Sequence, residues 1–262
     1  MVDLPATAKL QIRRAFERAA HGYDEAATLQ RAVRGRLADR LTACEGVPAR
    51  ILDAGSGTGG GAQLLRTRFP GTPVVELDIA AAMLHVARAK HGAVLGVCGD
   101  IERLPLRAGE FELAWSNLAL QWAMDLDRAL AELRRVLAPQ GMLLFSTLAA
   151  GTLRELRQAF EDDDAHVNSF VTAQALQQAL ARRGYAAIQV EQEAVTMRYA
   201  QVRDVMRDLK AIGAQTVTAG RASGLMSRAR WQRFEANYER LRSGGTLPAT
   251  YEVLYVRALR QP

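Results

Sequence analysis

Apolar positions recur along this chain with two different periods, and the two alternate. Ile12, Phe16, Ala19 and Tyr23 fall at i, i+4, i+7 and i+11, one stripe along a helix. Leu29, Val33, Leu37 and Leu41 carry a second stripe, so residues 8–44 read as helices. Beyond them, short apolar runs take turns with helix-period segments. The pattern predicts strands at 49–53, 73–77, 93–98, 111–116 and 141–147, with helices over 60–68, 80–90 and 125–137. Pro139-Gln140-Gly141 reads as a turn between helix and strand. A helix over 172–183, capped by Thr172, leads through Gly184 to a strand over 185–195. Such regular βα alternation argues for a parallel sheet with helices on both faces.

The alternation breaks after residue 199. Residues 200–243 are helical and basic, and only then does Thr250–Val256 give a last strand. In a helix over 202–212, Val202, Val205, Met206, Leu209 and Ile212 form the apolar face, while Arg203, Arg207 and Lys210 line another. We read 200–245 as a helical insertion packed as a lid over the strand ends. The expected fold is α/β: a doubly wound, mostly parallel sheet of seven strands, with an N-terminal helical arm and this lid.

Composition narrows the reading. A chain of 262 residues can bury a sizeable core as one elaborated α/β domain. No apolar run approaches the length that spans a bilayer, and Met1–Arg14 lacks the apolar core of a secretory signal. A cytoplasmic protein with no membrane partner is the expectation. Cys44 and Cys98 make no disulfide framework, and the four histidines show no zinc spacing, so no metal is expected. Net charge is +6. Ten Lys and Arg against four acids between Arg198 and Arg242 account for all of it. A basic late segment suggests an acidic partner.

The candidate chemistry gathers at strand ends. Ile51-Leu52-Asp53-Ala54 runs straight into glycines at 55, 57 and 59, and a helix follows. Strand, glycine turn, helix is the entrance to a nucleotide site in a doubly wound sheet, although glycines at so tight a turn also meet purely structural needs. Asp78, followed by Ile79, ends the second strand, where a carboxylate can hold both ribose hydroxyls. Asp100, followed by Ile101, ends the third and can accept from an adenine amino group. Ser116-Asn117 ends the fourth. Asp53 within the loop region would repel a pyrophosphate and suits a cationic ligand, such as the amino acid end of S-adenosylmethionine. The constellation resembles the class I methyltransferases, a Rossmann-like family. Tyr23 is open to two readings, a core position on its stripe or a side chain closing over the cofactor.

Several further stretches resemble one family, the malonyl-[acyl-carrier protein] O-methyltransferases of biotin synthesis. They are Phe16–Ala20 with Tyr23-Asp24, Leu29-Gln30, Ser116–Trp122, Phe145–Leu148 followed by Gly151–Leu156, His166–Phe170, Leu209–Ala214 and Leu247–Val253. Ser56 departs from the pattern, since many relatives have cysteine there. The resemblance implies methyl transfer from S-adenosylmethionine to the free carboxylate of malonyl-acyl-carrier protein, giving the ester that primes pimeloyl synthesis. Such a carboxylate needs no general base, and no catalytic acid or base is expected. By the same resemblance, Asp53, Gly55, Gly57 and Gly59 would hold the methionine portion, Asp78 the ribose, and Asp100 with Ile101 the adenine. Asn117 and Leu118 would border the sulfonium. For the malonyl carboxylate the expected partner is Arg198, with His166 and Tyr23 behind it. Gln121 and Trp122 would wall the acyl pocket, and Arg203, Arg207 and Lys210 would meet the carrier protein.

The division expected is a single domain, 1–262: arm 1–46, cofactor-binding core 47–199, lid 200–245 and last strand 246–262. The nearest rival is another small-molecule methyltransferase, for instance one acting on a quinone precursor. A non-catalytic nucleotide sensor is disfavoured by the carboxylates at three strand ends. A nucleic-acid partner is not expected, because the basic segment carries no aromatic stacking platform.

Overall fold

The computed structural model describes residues 4–43, 46–160, 169–211 and 227–262. Its strands are β1 (Ile51–Ala54), β2 (Val74–Asp78), β3 (Leu95–Cys98), β4 (Phe111–Asn117), β5 (Leu137–Leu148), β6 (Tyr185–Tyr199) and β7 (Leu247–Arg260). The helices are α1 (Leu4–Ala19), α2 (Tyr23–Ala26), α3 (Thr28–Asp39), α4 (Gly60–Arg68) and α5 (Ala81–His91) in the first half. In the second half come α6 (Leu126–Val136), α7 (Arg154–Phe160), α8 (Ala173–Arg182), α9 (Val202–Ala211) and α10 (Arg228–Glu239).

One sheet of seven strands has the order β3-β2-β1-β4-β5-β7-β6. Neighbours among β1 to β5 run parallel, whereas β7 is antiparallel to both β5 and β6. Side chains on successive strand residues point to opposite faces, and here both faces are covered. Ile51, Leu113, Trp115 and Leu144 lie in one cluster with Val33 and Leu37 of α3, Leu65 of α4 and Phe160 of α7. Leu52, Ala114, Leu143 and Phe145 lie in the other, with Leu130 and Leu133 of α6 and Leu176 and Leu180 of α8. Double burial explains why the central strands β1, β4 and β5 read as runs, whereas the edge strands β3 and β6 stay largely open to water. The second N-terminal stripe (Leu29, Val33, Leu37 and Leu41) is buried throughout.

Several boundaries differ from expectation; β6, for instance, runs on to Tyr199 rather than ending at 195. β5 begins at Leu137, directly after α6, and runs through Pro139-Gln140-Gly141. The turn is present, but as an irregularity inside the strand. Gln140 has φ +63° and the pairing register with β4 shifts between Phe111 and Leu113. β7 is twice the length expected, because its antiparallel pairing continues along both neighbours.

The insertion between β6 and β7 is helical, as expected. Its described part packs against α7 through α10, while α9 meets α2 and β6. Phe234 of α10 stacks on Phe160 with ring centroids 4.2 Å apart, Asn237 donates to Ala159 O, and Tyr238 donates to Pro248 O. Val202, Val205 and Leu209 of α9 join the same core cluster. Ile212 lies outside the described residues. No helix among the described residues is long and apolar enough to cross a membrane.

Because the insertion shares the main core, we expect it to unfold with the rest. Phe234→Ala removes a fully buried ring and should cost about 3–5 kcal/mol. Denaturant titration should show one transition at a lower midpoint. A separate early transition for the insertion would contradict this.

Candidate active site

The order of strands reverses between β1 and β4, and the crevice opens at their carboxyl ends, where open α/β sheets hold ligands. Backbone geometry prepares it. Gly55, Gly57 and Gly59 have φ of +78°, +54° and +84°, in the left-handed region that side chains disfavour. At Gly55 an added Cβ would also overlap Ala119. Across the crevice Leu118 takes φ +50°, an uncommon conformation for a residue with a side chain. It is held there by its N–H donating to Ser146 Oγ at 3.1 Å.

Two adjoining cavities share Tyr23, Gly55, Gly57 and Asn117. The first lies over β2 and β3, and Asp78, Ile79, Asp100, Ile101, Leu118 and Trp122 border it. Asp78 accepts from Gly57 N at 2.9 Å and Ala80 N at 2.8 Å, which ties the glycine loop to the end of β2. The N-terminal arm roofs this cavity with Lys9, Ile12, Phe16 and Tyr23. Glu17 secures the arm by accepting from Ala81 and Ala82 N–H, at 3.0 and 3.1 Å, at the start of α5. Lys9 Nζ reaches Asp100 Oδ2 at 2.5 Å and Glu102 Oε2 at 2.8 Å. The second cavity lies between the glycine loop, α3 and the start of α4, and is lined by Gln30, Arg31, Arg34, Asp53, Ser56 and Trp115, among others.

That second cavity is chemically unfinished. Asp53 Oδ2, Ser56 Oγ, Trp115 Nε1 and Gln30 Oε1 are buried without a hydrogen-bond partner among the described residues, and all four residues line it. Buried polar atoms are nearly always paired, so orphans that converge on one space point to a polar ligand there.

The expected residues fall into three groups. Asp53, Gly55, Gly57, Asp78, Ile79, Asp100, Ile101, Asn117, Leu118, Tyr23 and Trp122 all border one or both cavities. Gly59 lines neither and instead caps the start of α4. Gln121 lines neither, its amide being committed to Leu118 O at 2.7 Å. Arg198 is also elsewhere. It is exposed near the end of edge strand β6, donating to Thr246 Oγ1 at 3.3 Å. Arg203 and Arg207 are exposed on α9, beside Glu235 at 3.9 Å and Asp204 at 2.9 Å respectively. His166 and the Lys210 side chain lie outside the described residues. Lys9, Arg31, Arg34 and Trp115 are additions that the sequence reading lacked. Lys9 sits on the Ile12/Phe16 stripe, three residues before Ile12, and that spacing was the available signal.

Burial sets the protonation of the site. Loss of water, with the Glu76 charge nearby, pushes the Asp53 carboxyl up to about 8. Burial raises Asp78 to about 6, against the opposing N–H bonds from Ala80 and Gly57. Loss of water around the Tyr23 hydroxyl, then the charges of Asp78 and Asp24, raise it far above the phenol range. Tyr23 is therefore a neutral donor near neutral pH and not a base.

Comparison with known proteins bears on this site. Residues 52–145 match the methyltransferase domain family. The chain is 50% identical to the malonyl-[acyl-carrier protein] O-methyltransferase of Laribacter hongkongensis, over 99% of this chain and 92% of that protein. It is 46% identical to the protein of the same name from Gallionella capsiferriformans, over 95% and 90%. With the biotin biosynthesis bifunctional protein BioHC of Cellvibrio japonicus it shares 41% identity, over 96% of this chain and half of that one. Among solved structures, the YcgJ protein of Bacillus subtilis superposes with a TM-score of 0.63 at 15% identity, covering 88% of this chain and 99% of that one. Phosphoethanolamine N-methyltransferase 2 of Haemonchus contortus, solved with S-adenosyl-L-methionine, gives 0.57 at 18% identity, covering 94% and 57%.

The raised carboxyls make a linkage prediction. Between the usual carboxylate range and about pH 8 the folded chain holds protons on Asp53 and Asp78 that the unfolded chain has lost. The stability they contribute is therefore full at low pH and is lost as pH rises through about 6 and then 8. The ligand-free protein should melt at progressively lower temperature from pH 5 to pH 8.5, and Asp53→Asn should flatten the slope. An unchanged slope in that variant would mean that Asp53 is ionised throughout.

Proposed function

The chain belongs to the malonyl-[acyl-carrier protein] O-methyltransferases, and from that premise we propose that the two cavities form one cofactor cleft, which presents a methyl group to the free carboxylate of malonyl-acyl-carrier protein. The cofactor is S-adenosylmethionine. The observation that carries the reading is the set of carboxylates at successive strand ends, joined to a polar cavity whose buried atoms lack partners.

The residues present fit that cofactor. Asp78 would take the ribose hydroxyls, since each of its oxygens keeps a lone pair beyond its N–H donor. Ile79, Ile101 and Met83 offer apolar faces to a purine, and Asp100 offers an acceptor for its amino group. Asp53, Gly55 and Gly57 would hold the methionine portion. Asn117 braces the wall between α3 and β5, donating to Gln30 O at 3.1 Å and accepting from Ser146 Oγ at 3.0 Å. Leu118 and Tyr23 close the space around the reacting centre. S-adenosylmethionine, when bound, supplies a methyl group already activated on a sulfonium.

What remains for the protein is alignment and exclusion of water. A malonyl carboxylate is ionised near neutral pH and attacks without a base, which agrees with a neutral Tyr23. Trp122 packs edge-to-face on Phe16 at 5.4 Å and so joins the arm to the β4 loop on the side from which an acyl chain would arrive. The product is the methyl ester that enters pimeloyl assembly for biotin. Arg203 and Arg207 lie on the face of α9 opposite Val202 and Val205. There they would steer an acidic carrier, acting on association rate more than on affinity.

Three outcomes test the reading. Asp78→Ala should lower S-adenosylmethionine affinity by roughly tenfold or more by calorimetry, since bonds to a charged group are worth about 1.5–3 kcal/mol each. Charge reversal of Arg203 and Arg207 to Glu should raise KM for malonyl-carrier protein at low salt and leave cofactor affinity alone; unchanged turnover would make that face merely solvated. Wild type should reject acetyl-carrier protein as substrate and inhibitor. Arg198→Met should leave this selectivity intact, because Arg198 lies away from both cavities. A loss of selectivity in that variant would reinstate it as the carboxylate partner.

A further inference from the structure

Glu102 lines the first cavity just beyond β3, and each of its polar atoms is bonded. Its N–H donates to Asp100 Oδ1 at 3.0 Å, and its carbonyl accepts from Arg128 Nε of α6 at 3.0 Å. On the side chain, Oε1 accepts from Met124 N at 2.6 Å, while Oε2 meets the Lys9 ammonium at 2.8 Å. The first of these bonds fixes the loop that follows β4, and the second fixes the N-terminal arm. The same two segments meet again through carbon, where Phe16 packs edge-to-face on Trp122 at 5.4 Å. The spacings match. Lys9 and Phe16 lie two helical turns apart on α1 with Ile12 between them, and all three line the cavity. Trp122 precedes Met124 by two residues. The Glu102 side chain is 8% exposed and that of Lys9 23%, so dissolved salt screens the pair little.

We propose that Glu102 and Lys9 are positioning residues for methyl transfer: their ion pair clamps the arm onto the loop after β4 and so seats the Phe16–Trp122 wall of the acyl pocket. The inference rests on the reading that this wall receives the malonyl chain. Neither residue touches a reacting atom. A ring pair adds little beyond its buried area, whereas a shielded, hydrogen-bonded ion pair holds two segments at a fixed distance. Without Lys9 a buried carboxylate loses its cation, the arm loosens and water enters. Alignment and exclusion of water are what the protein contributes to an already activated methyl group, so the clamp acts on turnover.

Two readouts on the full chain test this. Arg13 and Arg14 are exposed on the arm, so trypsin cleavage at these two positions reports arm opening without turnover. Lys9→Met should speed that cleavage roughly tenfold and lower kcat for malonyl-carrier protein by a similar factor. Glu102→Gln keeps an acceptor for Met124 N, leaves Lys9 on Asp100 alone, and should act in the same direction. The double variant should be no worse than Lys9→Met, and Lys9→Arg should restore most of both readouts. An arm as protected in both single variants as in wild type overturns the proposal. So does an arm that opens while kcat stays at the wild-type value. Trp122→Ala separates the proposal from its premise: unchanged kcat and KM there would refute the acyl-wall reading itself, whatever the arm does.

Discussion

Covering both faces of the sheet is the constraint from which the rest follows. With α3, α4 and α7 on one side and α6 and α8 on the other, β1 is cut off from water throughout and β4 from Leu113 to Ser116. Polar groups on such strands find room only at the ends. That is where Asp53, Asp78 and Asn117 stand, with Asp100 just beyond β3. The same enclosure raises the carboxyls at Asp53 and Asp78, because little water remains to stabilise their charge. Fold and site share one physical origin.

That origin also explains what could be read from the chain. Fully buried strands write themselves as apolar runs, and the helix over 60–68 begins and ends where the glycines and the apolar spacing placed it. The carboxylates at strand ends were legible because an acid closing an apolar run is conspicuous. Arg198 misled because a basic residue at the junction of strand and insertion looks well placed, whereas β6 is the outermost strand and carries it away from the crevice. Gln121 misled for a different reason. Its amide serves the backbone at Leu118, and no sequence pattern announces a turn at φ +50° on leucine. Arg31 and Arg34 lie on the polar side of α3, which the apolar stripe leaves unassigned. Whether such a side meets water or a cavity depends on which helix lies opposite, and spacing alone does not carry that.

The N-terminal arm shows how local and tertiary information divide. Its apolar stripe was visible, and the helix follows it. Yet the stripe serves two ends: Ile12 and Phe16 roof the first cavity, while Phe16 and Tyr23 also pack on the cluster of Ala20, Ala80 and Met83. Glu17 reads as an ordinary surface acid until α5 arrives and presents two unpaired N–H groups to it. Lys9 likewise acquires meaning only from Asp100 and Glu102, more than ninety positions away.

The position of β7 bears on how the chain reaches this state. β7 follows β6 in sequence but lies between β5 and β6 in space. Until its residues pair, β6 has no neighbour, and β5 presents an open edge that includes Met142, Leu143, Leu144 and Phe145. A chain made from its N-terminus completes that pairing last. During synthesis or refolding the most exposed segment is therefore a central strand of the finished sheet, with unsatisfied backbone groups along an apolar edge. Contacts between Leu137–Leu148 and Leu247–Arg260 span over a hundred residues, a separation that slows closure. Aggregation in competition with folding would begin at β5, a strand that the native molecule buries from Gly141 to Thr147.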